Sequence, residues 1–301
     1  MDRHQRRVIL HVGLHKTAST SLQATCLANQ DALVQQGICY PDFRHPLQPE
    51  ESMANHSVPL VSMVHPRPHE YHMNIRMRVT DNNAAISSYR DVLDYALQSS
   101  LVVFLSGEGV SRLGKQPLSQ LLALLTRFDH QVRVVACVRS PYSFHCSALA
   151  QRVVGAGEAL MPTDFQRQSD RLRVLQQVFG SALECIPFRT LCDHPNGPVV
   201  AFLERLQIDT SSFVIERRND GASNRVTRLQ IEVNQQYPLI IDNQINPSHY
   251  SVPRDSGRKF CLTPTEMAVI QSQLIEENHW MRSVLGESFC DQPHDLVNMM
   301  G

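Results

Sequence analysis

A lysine and several hydroxyl side chains cluster in one short segment near the amino terminus. The segment reads Gly13-Leu-His-Lys16-Thr-Ala-Ser-Thr-Ser21 and lies between an apolar run and a helical pattern. A turn from a buried strand into a helix directs free backbone N–H groups and the positive end of the helix at one point, which suits a phosphate. Lys16 adds a positive charge, and the hydroxyls after it add hydrogen-bond donors. The segment is therefore predicted to bind a phosphate-like anion.

The spacing in this segment differs from that of a nucleoside triphosphate loop. A Walker A loop ends in Gly-Lys-Ser/Thr and leaves room for two phosphates and a magnesium-bound hydroxyl. Here Lys16 comes three residues after Gly13 and precedes the hydroxyl cluster. The shorter loop fits one phosphate plus a group that is being transferred. The alternative is an N-capped helix with a lysine that faces solvent.

An arginine ends another apolar run, in Val135-Ala-Cys-Val-Arg139-Ser-Pro141. Ser147 follows eight residues after the arginine, on the same helical face as Ser143. An arginine at the carboxyl end of a strand, together with a serine two turns into the next helix, can hold a phosphate. Taken alone, this pattern has a structural arginine as its alternative.

The elements that position these residues alternate between strands and helices. Continuous apolar runs predict strands at 7–12, 101–106, 132–138 and 183–188. A first helix follows the lysine segment, and apolar spacing and capping signals predict others at 117–128, 142–154, 164–179, 199–206, 225–236 and 263–285. This alternation predicts an α/β fold with a mostly parallel central sheet, flanked by helices on both faces. Ligands bind at the carboxyl ends of such strands, which is where the candidate residues lie.

The composition is that of a globular protein. Of 301 residues, 42% are hydrophobic and 19% are charged, and the net charge is −1. That balance does not predict a basic surface for nucleic acid. No apolar stretch reaches the roughly 18 residues of a membrane span, and the eight cysteines include no C-x-x-C pair. We expect a single domain over residues 1–301, without a transmembrane segment, in the reducing cytoplasm.

One segment departs from the regular pattern. Residues 41–80 hold six prolines and five histidines with little periodicity. A long structureless segment in a compact domain is usually a functional loop or a lid. We expect it to be irregular and to cover part of an acceptor site. Zinc binding by His65, His69 and His72 is disfavoured, because prolines interrupt the run and the chain shows no second ligand cluster.

Residues 13–23 resemble the 5′-phosphosulfate loop of sulfotransferases that use 3′-phosphoadenosine 5′-phosphosulfate (PAPS). The usual form of that loop is K-T-G-T-T-S/A, and this chain reads K-T-A-S-T-S from Lys16. Ser19 keeps the hydroxyl of the usual threonine. Ala18 replaces the usual glycine, and alanine is tolerated there only if the position does not need a positive φ.

The resemblance extends along most of the chain, but the matching residues are few and scattered outside two motifs. The family's Arg-x7-Ser pair, which holds the 3′-phosphate of PAPS, matches Arg139 and Ser147 without a gap. Residues 33–41 are similar to an L-x3-G-I-x-Y-P motif of bacterial members, and Asn55-His56 also recurs in them. The resemblance implies the P-loop nucleoside-triphosphate-hydrolase-like sulfotransferase fold.

The same resemblance implies catalytic roles. Lys16 would stabilise charge on the leaving phosphate oxygen. Glu108 would be the base, because it follows the strand predicted at 101–106, where family members carry a histidine or a glutamate. His56 is the competing base, since histidine titrates near neutrality, and with Asn55 it could instead contact the acceptor. The alternative for Glu108 is a glutamate that caps the following turn.

Donor binding is implied for two segments and one late basic loop. The residues implied to bind PAPS are His15, Lys16, Thr17, Ala18, Ser19, Thr20, Ser21, Arg139, Ser147 and Arg218. Arg218, or its neighbour Arg217, would close over the 3′-phosphate and adenine. No metal is expected, because a sulfuryl group carries less charge than a phosphoryl group.

The implied function is transfer of a sulfuryl group from PAPS to a hydroxyl, less readily to an amine, of a small-molecule or glycan acceptor. A carbohydrate acceptor is the expectation by analogy with bacterial relatives. One alternative is a nucleotide or metabolite kinase, which needs a metal-binding acid and a longer phosphate loop. Another is a non-catalytic module that keeps the fold and recognises a sulfated or phosphorylated glycan. A nucleic-acid partner is not expected.

Overall fold

The computed structural model of the protein describes residues 5–160, 165–218, 221–242 and 244–292. The chain divides into two compact units, and the single domain over residues 1–301 stays a prediction. The first unit runs to Val138 and resumes at Asp170–Arg218, and the second comprises Arg139–Ser169 and the described residues from 221 onward.

The strands are short and are numbered here in chain order. They are β1 Arg7–His11, β2 Ile38–Cys39, β3 Arg44–His45, β4 Gln48–Ser52, β5 Val102–Ser106, β6 Gln131–Val138, β7 Leu183–Pro187, β8 Ile240–Ile241 and β9 Gln244–Ile245. The strands predicted at 7–12, 101–106, 132–138 and 183–188 are confirmed as β1, β5, β6 and β7. Two-residue strands such as β2 carry no periodic signal, so the sequence did not indicate them.

The helices are numbered in the same way. They are α1 Ser19–Ala28, α2 Gln30–Gln35, α3 Ser57–Val64, α4 His72–Arg76, α5 Asn82–Ser99, α6 Lys115–Leu125, α7 Pro141–Ala156, α8 Gln168–Phe179, α9 Phe188–Cys192, α10 Pro198–Arg205, α11 Asn224–Gln236 and α12 Pro264–Val284. The capping box predicted before α12 is confirmed: Glu266 N–H donates to Thr263 Oγ1 at 3.3 Å, and Thr263 N–H donates to Glu266 Oε2 at 2.8 Å. The 18-residue α5 was missed by the sequence patterns.

A parallel five-stranded sheet forms the centre of the first unit. Its strand order is β2–β5–β1–β6–β7, and Leu10 of β1 pairs with Leu105 on one side and Val134 on the other. Consecutive residues of β1, β5 and β6 are buried, so both faces of the sheet are covered. The predicted α/β class with a parallel sheet and surrounding helices is therefore confirmed.

The strand order creates a switch in chain direction beside β1. After β1 the chain crosses to β2 at one edge of the sheet, and after β6 it crosses to β7 at the opposite edge. In open α/β sheets, ligands bind in the crevice outside the carboxyl ends of two such strands. The loop after β1 therefore begins at the edge of the sheet where a ligand is expected.

One apolar core of the first unit packs helices onto the sheet. Ile9, Phe104 and Val135 belong to it, one from each of three adjacent strands. Leu22 of α1 and Phe202 of α10 lie in the same cluster. Burial of each such side chain contributes about 1.5–3 kcal/mol, so this packing holds α1, and the loop before it, against the carboxyl end of β1.

The segment at 41–80 is more regular than its composition suggests, and the expectation of a structureless loop is wrong. It contains the β3–β4 hairpin, α3 and α4, and all eight residues of α3 are buried. Pro59 lies in the first turn of α3, where a missing N–H costs little. Apolar burial therefore outweighs the loop-like composition.

The second unit is built from α7, α11 and α12 with the β8–β9 hairpin. Tyr142 of α7 packs in an apolar cluster with Phe260 and Ile270, and its hydroxyl accepts a hydrogen bond from Leu262 N–H at 3.0 Å. Asn234 of α11 donates to the carbonyl groups that end α7, which satisfies that helix terminus. Among the described residues, no helix combines the length and apolar character needed to cross a bilayer.

Candidate active site

The loop between β1 and α1 combines left-handed backbone with the start of a helix. Gly13, His15, Lys16 and Ala18 have φ angles of 42°, 58°, 60° and 58°. α1 begins at Ser19, and the methyl group of Ala18 at its N-cap cannot accept a hydrogen bond. The first N–H groups of α1 thus meet the loop without a cap from that side chain, as an anion-binding helix start requires.

Gly13 allows two other parts of the first unit to approach the loop closely. A Cβ atom at Gly13 would lie 2.9 Å from Ser19 Oγ and 3.1 Å from Glu108 Cβ. Any side chain there would displace one of these neighbours, and the φ of 42° also favours glycine. Glycine therefore lets the loop fold back onto α1 and against Glu108.

Alanine was expected to be tolerated at position 18 only if that position does not need a positive φ, and the structure shows that it does. Its φ of 58° lies in the left-handed region, which costs an L-residue about 1–2 kcal/mol. The packing of α1 imposes this conformation on the residue before it. Strain of this kind concentrates at functional sites, where the surrounding structure holds it in place.

Replacing Ala18 by glycine should stabilise the protein. Glycine removes the left-handed strain but raises the entropy of the unfolded chain, so we expect a net gain of about 0.5–1 kcal/mol in the free energy of unfolding. Urea denaturation measures it. Ala24→Gly, inside α1, is the matched control and should lower the same quantity by about 1 kcal/mol. Destabilisation by both variants would contradict the assignment of strain to Ala18.

The hydroxyl groups expected to bind a phosphate have different surroundings. Thr17 and Ser19 are buried, with their side-chain oxygens 3.5 Å apart. Thr20 is exposed, and Lys16 is half-buried. Thr17 and Ser19 therefore belong to the packed loop, whereas Thr20 lies at its surface.

Ser21 has a structural partner that the sequence did not indicate. Its Oγ donates to the carbonyl oxygen of Arg218 at 3.0 Å and accepts from the N–H of Arg218 at 2.9 Å. The backbone of the late basic segment therefore lies beside α1. The Arg218 side chain itself is exposed.

Glu108 lies directly beside the same loop. It opens a short 3₁₀-helix, Glu108–Arg112, after β5. His15 Nδ1 is 3.3 Å from Glu108 Oε2, and each side chain is 23% exposed. The pair follows from the sheet register, because His11 of β1 lies opposite Ser106 of β5. Sequence patterns placed both residues after strands but could not show that the two strands are neighbours.

His11 lies beneath this pair within β1. It is fully buried, and its Nδ1 is 2.8 Å from Ser106 Oγ. Burial lowers the pKa of His11 to about 4, although the charge of Glu108 opposes this shift. His11 is therefore neutral near pH 7 and supports the loop without adding a positive charge.

The start of α3 fixes the backbone on both sides of Glu108. The N–H of Gly109 donates to Ser57 Oγ at 2.8 Å. A Cβ at Gly107 would lie 3.0 Å from Ser57 N, and one at Gly109 would lie 2.9 Å from Ser57 Cβ. The two glycines thus permit the close approach of α3 that holds Glu108, and the Gly-Glu-Gly spacing was a signal available in the sequence.

Opposing effects set the protonation of Glu108. Burial acts to raise its pKa, but the hydrogen bond and charge of His15, together with the charge of Arg112, outweigh burial and lower the pKa below the ordinary value. Glu108 is therefore an ionised carboxylate at neutral pH, which is the form that can accept a proton.

Replacing His15 by glutamine should move the acid limb of the pH–rate profile to higher pH. The substitution removes the hydrogen-bonded and charged partner that lowers the pKa of Glu108. A base whose pKa rises loses its ionised form at a higher pH as acid is added. The pH dependence of kcat measures this shift. The exposed His69→Gln serves as control, and an unmoved acid limb in His15→Gln would contradict the coupling.

The structure argues against His56, the competing base. It is fully buried, its ring lies tilted against Tyr40 with ring centroids 4.2 Å apart, and its Nδ1 accepts from Ser106 N–H at 3.3 Å. Burial lowers its pKa to about 3, and the backbone carbonyl of Pro41 opposes this only in part. His56 is a structural residue that joins α3 to β5, and a substrate cannot reach it. Its neighbour Asn55 does face the cavity described next.

A cavity of about 450 Å³ opens beside the His15–Glu108 pair. That volume suits one small molecule. All its lining residues belong to the first unit; they are His15, Asn55, Ser57, Val58, Val61, His65, Pro66, Tyr71, His72, Met73, Glu108, Gly109, Arg112, Leu113, Gly114 and Pro117. Most of them come from the segment at 41–80 and the 3₁₀-helix. The sequence indicated a covering role for that segment but not Tyr71 or Arg112.

Arg139 and Ser147 belong to the second unit. Arg139 directly follows β6, and its Nε donates to Ser143 Oγ at 2.8 Å. Ser147 is half-buried one turn further along α7, on the same face as Ser143. The Asp291 carboxylate accepts from the N–H of Tyr142 at 2.9 Å and so caps α7, a contact that the sequence did not reveal.

No protein-family model and no curated protein sequence matches this chain. Among solved structures it is similar to a sulfotransferase from Alicyclobacillus acidocaldarius, with 10% identity over 96% of this chain and 98% of that one, at a TM-score of 0.47. It is also similar to retinol dehydratase in complex with androsterone and the inactive cofactor PAP. That match has 9% identity over 97% of this chain and 84% of the other, at a TM-score of 0.33.

A third similar structure comes from the PezAT toxin–antitoxin system of Streptococcus pneumoniae, with 10% identity over 77% of this chain and 84% of that one and a TM-score of 0.32. Because these TM-scores are all below 0.5, the likenesses do not assign the chain to a family. The function must be argued from the site.

The first unit therefore brings three functional features close together. A lysine-bearing loop stands at a helix start, an ionised carboxylate is paired with a histidine, and a small-molecule cavity opens beside that pair. In the described ranges, no group of three or more His, Cys, Asp or Glu side chains is placed to hold a metal ion. The arrangement can bind an anionic group, hold a second molecule beside it and remove a proton from that molecule.

Proposed function

We propose that this protein is a sulfotransferase that moves a sulfuryl group from PAPS to a hydroxyl of a small acceptor. The observation that carries the proposal is the meeting of the Lys16 loop with the His15–Glu108 pair at one wall of a cavity. The loop offers a cation and helix N–H groups to an anion, and the carboxylate faces the space where an acceptor would lie. Group transfer needs both functions side by side.

Residues of the loop would hold the 5′-phosphosulfate end of the donor. Gly13 leaves room for close approach of the backbone, and the uncapped start of α1 supplies N–H groups. Lys16 would lie near the oxygen that bridges phosphorus and sulfur and stabilise its negative charge as the bond breaks. The motif in residues 13–23 resembles the loop that performs this role in PAPS-dependent sulfotransferases.

Arg139 and Ser147 would hold the 3′-phosphate, and Arg218 would contact the same end of the donor. Support for Arg139 comes from the sheet: it directly follows β6, and β6 lies next to β1 in parallel register. The carboxyl ends of the two strands flank the switch point of the sheet, where α/β proteins bind nucleotides. Arginine suits a phosphate because its guanidinium can donate two parallel hydrogen bonds.

Glu108 would accept the proton of the acceptor hydroxyl. As the O–H bond breaks, the acceptor oxygen forms a bond to sulfur, and the bond between sulfur and the bridging oxygen breaks. The products are a sulfate ester, protonated Glu108 and adenosine 3′,5′-bisphosphate. His15 keeps Glu108 ionised and oriented before this step.

Binding of adenosine 3′,5′-bisphosphate, compared with ATP and Mg²⁺, tests the proposal. We expect the bisphosphate to bind and to raise the melting temperature, with Arg139→Ala weakening its affinity, and labelled PAPS to transfer its sulfate to at least one acceptor in a panel. Binding of ATP that depends on Mg²⁺, without binding of the bisphosphate, would favour a kinase. Binding of the bisphosphate without transfer to any acceptor would favour a non-catalytic module.

A further inference from the structure

The cavity beside Glu108 has a charged residue, Arg112, that has no direct contact with the reacting groups in the proposed transfer. Arg112 lines the cavity at the other end of the 3₁₀-helix that Glu108 opens. A 3₁₀-helix rises about 2.0 Å per residue, so the backbones of the two residues lie about 8 Å apart along its axis. One wall of the cavity therefore carries a carboxylate and a guanidinium that start from opposite ends of this short helix.

Arg112 forms no ion pair with a carboxylate of the described residues. Its side chain is exposed and lines the cavity. A second arginine, Arg171, lies near enough to feel its charge: burial and then the Arg112 charge lower the pKa of Arg171. The Nη1 atom of Arg171 is buried without a hydrogen-bond partner among the described residues. Arg112, which lines the cavity, therefore offers a positive charge that an anionic group of a bound molecule would pair with.

The remaining walls of the cavity are mainly apolar or aromatic. His65 stacks on Tyr71 with ring centroids 6.0 Å apart, and Tyr71 meets His72 edge to face at 4.9 Å. The aliphatic and thioether side chains that line the cavity are Val58, Val61, Met73 and Leu113. Such walls favour an acceptor with an apolar or aromatic middle part.

Several polar atoms of the lining already have partners inside the protein. Ser57 Oγ accepts from Gly109 N–H, Asn55 Oδ1 accepts from Ser57 N–H, and His65 Nδ1 accepts from Arg67 N–H. These contacts reduce the number of acceptor atoms that the lining can offer to the hydroxyls of a sugar, and a buried hydroxyl without a partner weakens binding. The lining therefore favours an acceptor with few hydroxyls over a polyhydroxylated one.

We infer that the acceptor of the proposed transfer carries an anionic group, and that Arg112 binds this group while the reacting hydroxyl lies at Glu108. The acceptor class is an amphiphilic hydroxy acid: a hydroxyl at one end, an apolar or aromatic middle, and a carboxylate, phosphate or sulfate at the other end. The inference rests on the proposed sulfotransferase function. Arg171 adds to the positive field around Arg112.

A matched pair of acceptors tests the inference on the full-length protein. The probes are 3-(4-hydroxyphenyl)propanoate and its methyl ester, which share the phenol and differ in the negative charge. With PAPS as donor, kcat/KM for the acid should exceed that for the ester by about tenfold, which corresponds to about 1.4 kcal/mol. Arg112→Gln should remove this preference by lowering kcat/KM for the acid alone. Arg112→Glu should instead favour tyramine, the corresponding amine.

The controls distinguish an effect of Arg112 on acceptor binding from an effect on donor binding. Arg90→Gln, at an exposed arginine of α5 outside the cavity, should leave the preference intact. Calorimetric binding of adenosine 3′,5′-bisphosphate should be unchanged in Arg112→Gln. Equal use of acid and ester by the unmodified protein, or equal loss of both in Arg112→Gln, would overturn the inference. Weakened binding of the bisphosphate would assign Arg112 to the donor and also overturn it.

Two further outcomes distinguish this inference from the proposed function. If the protein binds the bisphosphate but sulfates neither probe, the affinities of the acid and the ester are measured by calorimetry on the bisphosphate-bound protein. Equal affinities overturn the inference. If the bisphosphate does not bind at all, the proposed function fails. The anion site would then stand only if the free protein still bound the acid more tightly than the ester and Arg112→Gln removed that difference.

Discussion

Glu108→Gln should lower kcat by about 10²–10⁴-fold while leaving donor affinity unchanged. Glutamine keeps the shape of the side chain and can still accept a hydrogen bond from His15, but it cannot take up the acceptor's proton. The loss should shrink for acceptors with more acidic hydroxyls, because these need less help to lose the proton. Initial rates with a series of substituted phenols and PAPS measure both effects.

The exposed Glu51→Gln is the matched control for this prediction. It makes the same change of charge in a part of the first unit that does not line the cavity, so kcat should stay unchanged. Thermal unfolding of both variants checks that the fold is intact. If Glu108→Gln retained half or more of the activity, Glu108 would not be the base.

Lys16→Ala should lower kcat by about 10²–10³-fold, the usual cost of removing a group that stabilises developing charge in the transition state. Alanine keeps a Cβ at the left-handed position of residue 16, so the backbone strain is the same and the comparison isolates the ammonium group. Adenosine 3′,5′-bisphosphate lacks the sulfuryl group, and its affinity should fall much less than kcat. Single-turnover rates with labelled PAPS separate these two quantities.

Lys115→Ala, at the exposed start of α6, is the control for Lys16→Ala. It removes one lysine charge outside the loop and should leave kcat unchanged. A Lys16 variant that lost donor affinity and kcat by the same factor would show a lysine that binds donor and transition state equally. An unchanged kcat would remove Lys16 from the reaction.

Local patterns in the sequence predicted the central sheet and the lysine loop. Val and Ile runs such as 132–138 are buried on both faces in β6, so they carry a strong strand signal. The capping box at Thr263 and Glu266 depends on residues three apart, and it is present in the structure. By contrast, α5 was missed although its buried Ala85, Tyr89 and Leu93 are spaced four residues apart, because the rest of the helix is polar and the apolar stripe is weak.

The sequence predicted some residues of the candidate site correctly as lying at the site, but not all of them. Lys16 and Glu108 each follow an apolar strand, and that position alone marked them as candidates. His56 looked equally suitable by residue type, yet burial against Tyr40 removes it from the substrate. Whether a histidine faces a cavity or a core is decided by contacts with residues far away in the chain.

The amino-acid sequence by itself determined the α/β class, the lysine loop between β1 and α1 and the carboxylate after β5, because these depend on residue types within a few positions of one another. Tertiary structure alone decided that His15 pairs with Glu108, that Ala18 adopts a left-handed conformation, and that Arg112 faces the same cavity. Each of these results depends on strand order, helix packing or the path of the 41–80 segment. Such contacts join residues that are distant in the chain, and no local spacing encodes them.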